Sequence, residues 1–353
     1  MCAPVVHLIH SSGFYGAERM LLEHCLRTPA AKHRVVFLDT PYNLTTHFRR
    51  VGIDCVGVEG LAALFKELRQ RPGIVNAHNF RAQIDGWLCA VRLGLPLVLT
   101  QHGFTLRSAK QRLYAWIAVR LGRSRHVGKV VCVSRSIARL HEIAGVAADK
   151  IEVIPNGLPS GATTLPRVPE AAPLIGFAGR LSVEKGPDLF LDAAIPLLYA
   201  RPDLRAAMIG DGPAAETLRE RVAAAGLSER VLFPGYQSDM EPWFARLSAL
   251  VLSSRTEGTP MTVLEAMRAG VPVAAFAVGG VPDMIEDGVS GLLAPAGNVA
   301  ALAACIGRLL DASSLAERLA AAARERQRRE HDLDALAPRW HNVYATLAGQ
   351  TPC

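Results

Sequence analysis

The 353-residue chain has no apolar run approaching the ~20 residues that a membrane-spanning helix needs. That excludes a transmembrane helix. The opening Met1-Cys-Ala-Pro-Val-Val-His7 leads straight into a strand pattern, so no secretory leader is expected. Cysteine is sparse and scattered: Cys2, Cys25, Cys55, Cys89, Cys132, Cys305 and Cys353, an odd number with no C-x-x-C. Reduced thiols and a cytoplasmic location are the simplest reading. No G-x-G-x-x-G follows the first strand and there is no Walker loop, which argues against a nicotinamide or ATP enzyme. No His/Cys/carboxylate cluster has metal-ligand spacing, so no metal is expected.

Acid is missing from one long stretch. No Asp or Glu occurs between Asp85 and Glu142, a gap that holds Arg92, Arg107, Lys110, Arg112, Arg120, Arg123, Arg125, Lys129, Arg135 and Arg139. Residues 1–158 carry 21 Lys+Arg against 10 Asp+Glu, and residues 159–353 carry 18 against 22, so the net charge of +7 splits into +11 and −4. A field of that sign favours an anionic partner. Nucleic acid is disfavoured, because no recognition motif accompanies the charge.

Half the residues are apolar and a fifth are charged, the balance of a soluble globular protein large enough for two domains. Short apolar runs alternate with helical patterns. Strands are expected at 5–10, 34–39, 54–58, 74–77, 97–100, 130–133 and 151–154. A Pro, Gly and Thr-dense stretch follows, and the alternation restarts with strands at 174–178, 206–209, 231–233, 250–253, 273–276 and 291–293. Helices are expected at 187–200, 214–225, 260–269, 281–286, 298–310, 314–329 and 333–347. Near-continuous apolar strands alternating with helices mean parallel sheets covered on both faces. The expected fold class is therefore α/β, with domains at 1–158 and 173–330, a linker at 159–172 and a terminal helical segment at 331–353. Two such domains would face a cleft, with ligands at the carboxyl ends of the strands.

The stretch richest in chemical meaning is Glu257-Gly-Thr-Pro-Met-Thr-Val-Leu-Glu265, which follows the apolar run Ala249-Leu-Val-Leu-Ser-Ser254. Thr259 suits an N-cap and Pro260 the first helical position. The free amides of Met261 and its neighbours would then face an anion, with Gly258 permitting close approach. Glu265 falls on the second turn, roughly 8 Å beyond the cap at about 1.5 Å rise per residue, and its side chain leans back toward the N-terminus. A carboxylate there can accept hydrogen bonds from a ribose diol. Upstream, Arg180 and Lys185 lie in the loop after a strand, where two cations suit a diphosphate.

These pieces occur together as Gly179-Arg-Leu-Ser-Val-Glu-Lys-Gly186, Glu257-Gly-Thr-Pro-Met-Thr-Val-Leu-Glu-Ala-Met267, Gly270-Val-Pro-Val273 and Gly279-Gly-Val-Pro-Asp-Met-Ile-Glu-Asp-Gly288. The set resembles the GT-B glycosyltransferases, and within them the large retaining family 4, over nearly the whole chain. The resemblance implies two Rossmann-like domains and a C-terminal helix that crosses back to the first. It implies that Arg180 and Lys185 hold the donor phosphates, that Glu265 binds the ribose and that Glu257 lies at the donor sugar. It also implies front-face attack, in which the leaving phosphate helps to remove the proton, without a metal.

Three N-terminal features match more loosely. Gly13-Phe-Tyr-Gly-Ala-Glu18 resembles the family's glycine loop, with Gly16 retained and Tyr15 where a glycine is usual. Leu99-Thr-Gln-His-Gly103 places His102 where the family has a histidine near the reacting centre; His78 is a second candidate. Val133-Ser-Arg-Ser136 and Ile154-Pro-Asn-Gly157 match landmarks around the ligand, with Asn156 the candidate for contact. Asp332-Leu-Asp334 spells a metal-type D-x-D but sits at a helix start, where capping explains it.

The expected activity is transfer of a hexose-type sugar from a UDP- or GDP-sugar to a hydroxyl of a glycan or lipid-linked acceptor, in bacterial envelope or exopolysaccharide synthesis. A soluble synthase of a storage or osmolyte sugar and a non-catalytic sugar-nucleotide-binding module are the alternatives. The basic segment 105–126 reads either as an interfacial helix for anionic lipid, at the inner face of the plasma membrane, or as a core helix with a solvated flank.

Overall fold

The computed structural model describes residues 4–11, 13–14, 16–28, 32–39, 43–103, 109–159, 161 and 172–349. The chain forms two compact units, one of Met1–Pro159 with Asp332–Cys353 and one of Ser160–His331. Of the stretch expected as a linker, only residues 159, 161 and 172 are among those described.

Unit 1 holds a seven-stranded parallel sheet: β1 (Val5–His10), β2 (His33–Leu38), β3 (Asp54–Val58), β4 (Ile74–Ala77), β5 (Leu97–Gln101), β6 (Val127–Cys132) and β7 (Ile151–Val153). The order is β3-β2-β1-β4-β5-β6-β7. Unit 2 repeats the plan with β8 (Leu174–Ala178), β9 (Arg205–Ile209), β10 (Val231–Gly235), β11 (Ala249–Leu252), β12 (Val273–Phe276) and β13 (Leu292–Ala294), ordered β10-β9-β8-β11-β12-β13. Both are doubly wound α/β sheets. Strand order reverses at β1/β4 in one and at β8/β11 in the other, and such reversals open a crevice at the strands' carboxyl ends.

The central strands are buried along their whole length, as in β4, β5, β8 and β12. Helices cover both faces. Gly86 lets the helix Phe80–Leu93 close on the sheet, since a Cβ there would lie 2.9 Å from Leu8 Cδ1. The helix Leu333–Leu347 belongs to unit 1, and its Leu336, Trp340, Val343 and Tyr344 pack on Val5, Ile74, Val98 and Val131. Asp332 caps it by accepting from the Asp334 amide at 2.9 Å, so the D-x-D is a cap.

Several boundaries shift by one or two residues, and two departures are larger. β6 starts at Val127, not at residue 130: Gly128 and Lys129 interrupt the apolar pattern, and pairing with β5 shifts register there but continues to Val127. The six-residue helix Glu241–Arg246 is too short to leave a periodic signal. Cys25, Cys55, Cys89, Cys132 and Cys305 are all buried and free.

Candidate nucleotide-sugar site

In unit 2 the loop after β8 meets the loop after β11. Lys185 closes a 3-10 turn, Val183–Lys185, and its ammonium lies 2.8 and 2.9 Å from the two carboxylate oxygens of Glu257. Ser254 Oγ donates to the same carboxylate at 2.7 Å. The Glu257 side chain is 5% exposed and that of Lys185 33%, so the acid is sequestered while the cation still faces water. An ammonium has three donors. Two are directed at Glu257, which leaves one for an incoming anion.

The surrounding backbone holds this pair. Arg255 forms a two-pronged ion pair with Asp188 at 2.8 and 2.6 Å, donates to Val183 O at 2.7 Å, and its amide donates to Glu184 O. Hydrogen bonding to Arg255 keeps the Asp188 carboxyl below its ordinary pKa. Gly186 takes φ 63°, and a Cβ there would lie 2.1 Å from Ser253 O. Gly279 takes φ 54°, with its would-be Cβ 1.9 Å from Glu257 O, and the Gly280 amide donates to that same carbonyl at 3.2 Å. Neither position has room for a side chain.

Arg180 follows β8 directly, is exposed, and has no ion-pair partner among the described residues. Gly258 and Thr259 are buried beneath the start of the helix Met261–Ala269. Here the expected cap is corrected by one residue. Pro260, not Thr259, is the N-cap, because Pro260 has ψ 119° and stays extended; Pro260 itself makes no side-chain cap hydrogen bond. The first helical residue is therefore Met261. The amides of Met261 and Thr262 lack intrahelical acceptors, as first-turn amides do. Glu265 is 5% exposed on the next turn.

In unit 1 the corresponding edge carries an Arg81–Asp39 ion pair beside a group of buried histidines. Gly16 begins the helix Gly16–Arg27 after β1, and Tyr15 lies outside the described residues. Asn79 caps the helix Phe80–Leu93 by accepting from the Ala82 amide at 3.2 Å, and it donates to His10 O, tying the ends of β1 and β4. His102 follows β5. Its Nε2 is 3.1 Å from His78 Nδ1, and its Nδ1 is buried without a hydrogen-bond partner among the described residues. Burial lowers the His102 pKa to about 4. Both histidines line a cavity of about 240 Å³ with Asn79, Gln83 and the stacked rings of Phe80 and Tyr114, whose centroids are 4.4 Å apart.

Sequence spacing gave no sign that His7, His24 and His33 meet, yet their ring nitrogens lie within 4.8 Å of one another. Both ring nitrogens of His7 and of His33 are already engaged in hydrogen bonds. Adjacent parallel strands carry two of these residues, but register sets His33 opposite Val5 and His7 opposite Val35, so the two rings meet on the diagonal. Arg255 and Asp188 carry no sequence signal, because an ion pair across 67 residues has no local pattern; Ser254 reaches Glu257 three residues on, a contact that a serine at a strand end does not announce. Of the segment 105–126, residues 105–108 lie outside the described residues. The helix Ala109–Leu121 leaves Leu113 and Trp116 each 53% exposed, with the Arg120 guanidinium 4.0 Å from the Trp116 ring centroid.

Comparison with known proteins follows the two units. Residues 14–160 match the Glycosyltransferase Family 4 model and residues 172–312 the Glycosyl transferases group 1 model. A D-inositol 3-phosphate glycosyltransferase of Streptomyces griseus is 33% identical over 301 residues, covering 72% of this chain and 63% of that protein. The chain thus spans less than two thirds of that relative's length. A 2-deoxystreptamine N-acetyl-D-glucosaminyltransferase of Streptomyces fradiae is 31% identical over 342 residues, covering 89% of this chain and 79% of that protein. Anabaena HepE, crystallised with UDP-glucose, shares the fold with a TM-score of 0.85 at 21% identity, over 98% of this chain and all of that one. The chain belongs to the group 1, family 4 glycosyltransferases of the GT-B fold.

Proposed function

We propose that the chain transfers a hexose-type sugar from a UDP- or GDP-sugar to a hydroxyl, with retention at the anomeric carbon. The observation that carries this reading is the Lys185–Glu257 pair beside Arg180, which has no ion-pair partner among the described residues, at the carboxyl ends of β8 and β11. Arg180 and Lys185 neutralise the diphosphate, and they stabilise it further as charge grows on leaving. Gly258, Thr259 and Pro260 shape the loop that brings the amides of Met261 and Thr262 to the phosphates. Glu265 accepts from the ribose diol. Glu257 holds Lys185 in the free protein and faces the sugar when phosphate draws Lys185 away. Gly16 offers backbone to the donor phosphate, and His102 contacts the sugar. No step requires a metal ion, because the cations and helix amides supply the positive charge.

Two acceptor classes are supported by different observations. The basic stretch without acids, with exposed Leu113 and Trp116, supports a lipid-linked or envelope glycan reached at an anionic membrane surface. The relatives' names, an inositol phosphate and an aminocyclitol enzyme, support a small soluble polyol instead. Cosedimentation with anionic vesicles separates them. The donor is tested by thermal shift against UDP, GDP and their sugars. A ligand at 100 times its Kd stabilises by about 2.7 kcal/mol. No shift with any nucleotide sugar would sink the donor assignment. Donor turnover unchanged in Glu257→Ala would point to a binding module.

A further inference from the structure

Four histidines of unit 1 stand in single file. His33 Nδ1 is 2.9 Å from His7 Nε2, His7 Nδ1 is 2.9 Å from His78 Nε2, and His78 Nδ1 is 3.1 Å from His102 Nε2. The far end of the file is anchored on one residue. His33 Nε2 lies 2.9 Å from Thr28 O and 2.7 Å from Thr28 Oγ1. Thr28 Oγ1 donates its own proton to His24 O at 2.6 Å.

Proton bookkeeping along the file has one solution. A carbonyl only accepts, and the Thr28 hydroxyl proton is committed to His24 O, so His33 Nε2 must carry a hydrogen. A neutral imidazole has one N–H. His33 Nδ1 is then an acceptor, which puts the His7 proton on Nε2. His7 Nδ1 accepts in turn, so His78 carries its proton on Nε2. His78 Nδ1 accepts, so His102 carries its proton on Nε2 and keeps a bare lone pair on Nδ1. We infer that Thr28, acting through His33, His7 and His78, fixes the tautomer of His102 so that the site presents a hydrogen-bond acceptor at Nδ1.

The rings are suited to hold a tautomer and unsuited to carry charge. Burial first, then repulsion from neighbouring histidines, holds His7 and His78 well below the ordinary histidine pKa. A protonated ring in the file is disfavoured, so this is not a store of positive charge. A metal ion on His7 and His33 would break the file, because each needs both nitrogens for its neighbours. The unpartnered His102 Nδ1 marks where the file ends. Its complement is a hydroxyl hydrogen, as on a sugar ring; a phosphate or carboxylate oxygen would meet lone pair with lone pair. His33, His7 and His78 are thus positioning residues for His102. That the hydroxyl belongs to the transferred sugar rests on the proposed function; the tautomer does not.

The test uses full-length protein labelled with 15N-histidine, free of ligand, near neutral pH. Long-range 1H–15N spectra distinguish a protonated from a bare ring nitrogen, and His102→Ala assigns the His102 signals. The expected result is a single His102 tautomer with bare Nδ1. In His33→Ala, three rings away, the His102 signals should split or shift toward a tautomer mixture. His33→Asn, whose side-chain oxygen can replace Nδ1 as acceptor for His7, should restore the single tautomer. The same three proteins should rank alike in kcat/KM for the nucleotide sugar, at matched unfolding midpoints. Wild-type His102 protonated on Nδ1 overturns the inference, as does a His102 signature unmoved by His33→Ala. One equivalent of metal in the purified protein, with metal-shifted His7 and His33 nitrogens, overturns it too. A wild-type protein with the expected tautomer and no glycosyl transfer would reject the proposed function alone.

Discussion

Unit 1 and unit 2 offer the same sheet edge to a ligand and furnish it in different ways. In unit 1, beside the Arg81–Asp39 ion pair, His78 and His102 join His7 of β1 by hydrogen bonds along a line, and burial keeps each ring uncharged. In unit 2 the edge residues are charged and paired: Lys185 with Glu257, Arg255 with Asp188. Desolvation dominates the histidines of the first, and hydrogen bonding within the Arg255–Asp188 pair leads in the second. The histidines of unit 1 can present a lone pair to a hydroxyl. The charged edge of unit 2 can exchange an internal anion for a phosphate. The fold is common to both; the chemistry comes from what each sequence places after equivalent strands.

The largest effect is expected from removing the exchangeable cation. Lys185→Ala should lower turnover of the nucleotide sugar about 10²–10³-fold, the scale of losing one stabiliser of a leaving group. Nucleoside diphosphate affinity should fall with it. The fold should lose only about 1–2 kcal/mol, less than a fully buried pair, because a third of the Lys185 side chain is in water. Steady-state kinetics and calorimetric titration read both. Unchanged diphosphate affinity removes Lys185 from the phosphate site.

Next comes the backbone beneath that pair. Gly279→Ala forces a Cβ to within 1.9 Å of Glu257 O at φ 54°. The loop must move, at a cost of about 1–3 kcal/mol, and Glu257 moves with it. Unit 1 should be untouched. Hydrogen exchange should speed up around residues 253–260 and stay constant in the helix Phe80–Leu93; even exchange in both regions contradicts this account of Gly279.

Much of this was legible in advance, and unevenly. β1, β3, β4, β8 and β12 fall where the sequence pattern puts them; β8 and β12 are apolar and buried throughout, while the edge strand β3 is bounded by its own short apolar run. Helix starts were less legible. Thr259-Pro260 has the composition of a cap and first turn, but an extended Pro260 shifts the helix by one residue. Arg180, Lys185, Glu257 and Glu265 stand out because their spacing from strand ends is local. The direct bond of Lys185 to Glu257 is not local, and neither is the file from Thr28 to His102. Each joins residues tens of positions apart through sheet order, which a single sequence does not display.

A third effect separates the units by acidity. A histidine held below its ordinary pKa in the folded state favours folding fully above about 6.5, and the contribution is lost as pH falls toward the lowered value. For His102 and His141 that value is about 4. His7, His24, His33 and His78 shift in the same direction, all in unit 1. Asp188 of unit 2 is lowered from 3.8, so its contribution persists above that pH and fades only below it. Between pH 6.5 and 4, unit 1 should therefore lose protection first. Exchange rates corrected for intrinsic pH dependence, followed by peptide, test the order; earlier loss in unit 2 contradicts it.

The smallest effect probes how each edge tolerates a missing hydrogen bond. Ser254→Ala removes one donor to Glu257, while Lys185 still holds both carboxylate oxygens. The loss should be about 1 kcal/mol in stability and under tenfold in donor kcat/KM. In the charged edge of unit 2 an ion pair covers for a lost neighbour, so the damage stays local. Among the histidines of unit 1 each ring has one proton to share, and a break at His33 should reach His102 three rings away. Measured side by side, Ser254→Ala should leave the Lys185→Ala penalty almost intact. If Ser254→Ala instead costs as much as Lys185→Ala, the pair depends on Ser254 and the two edges are equally brittle.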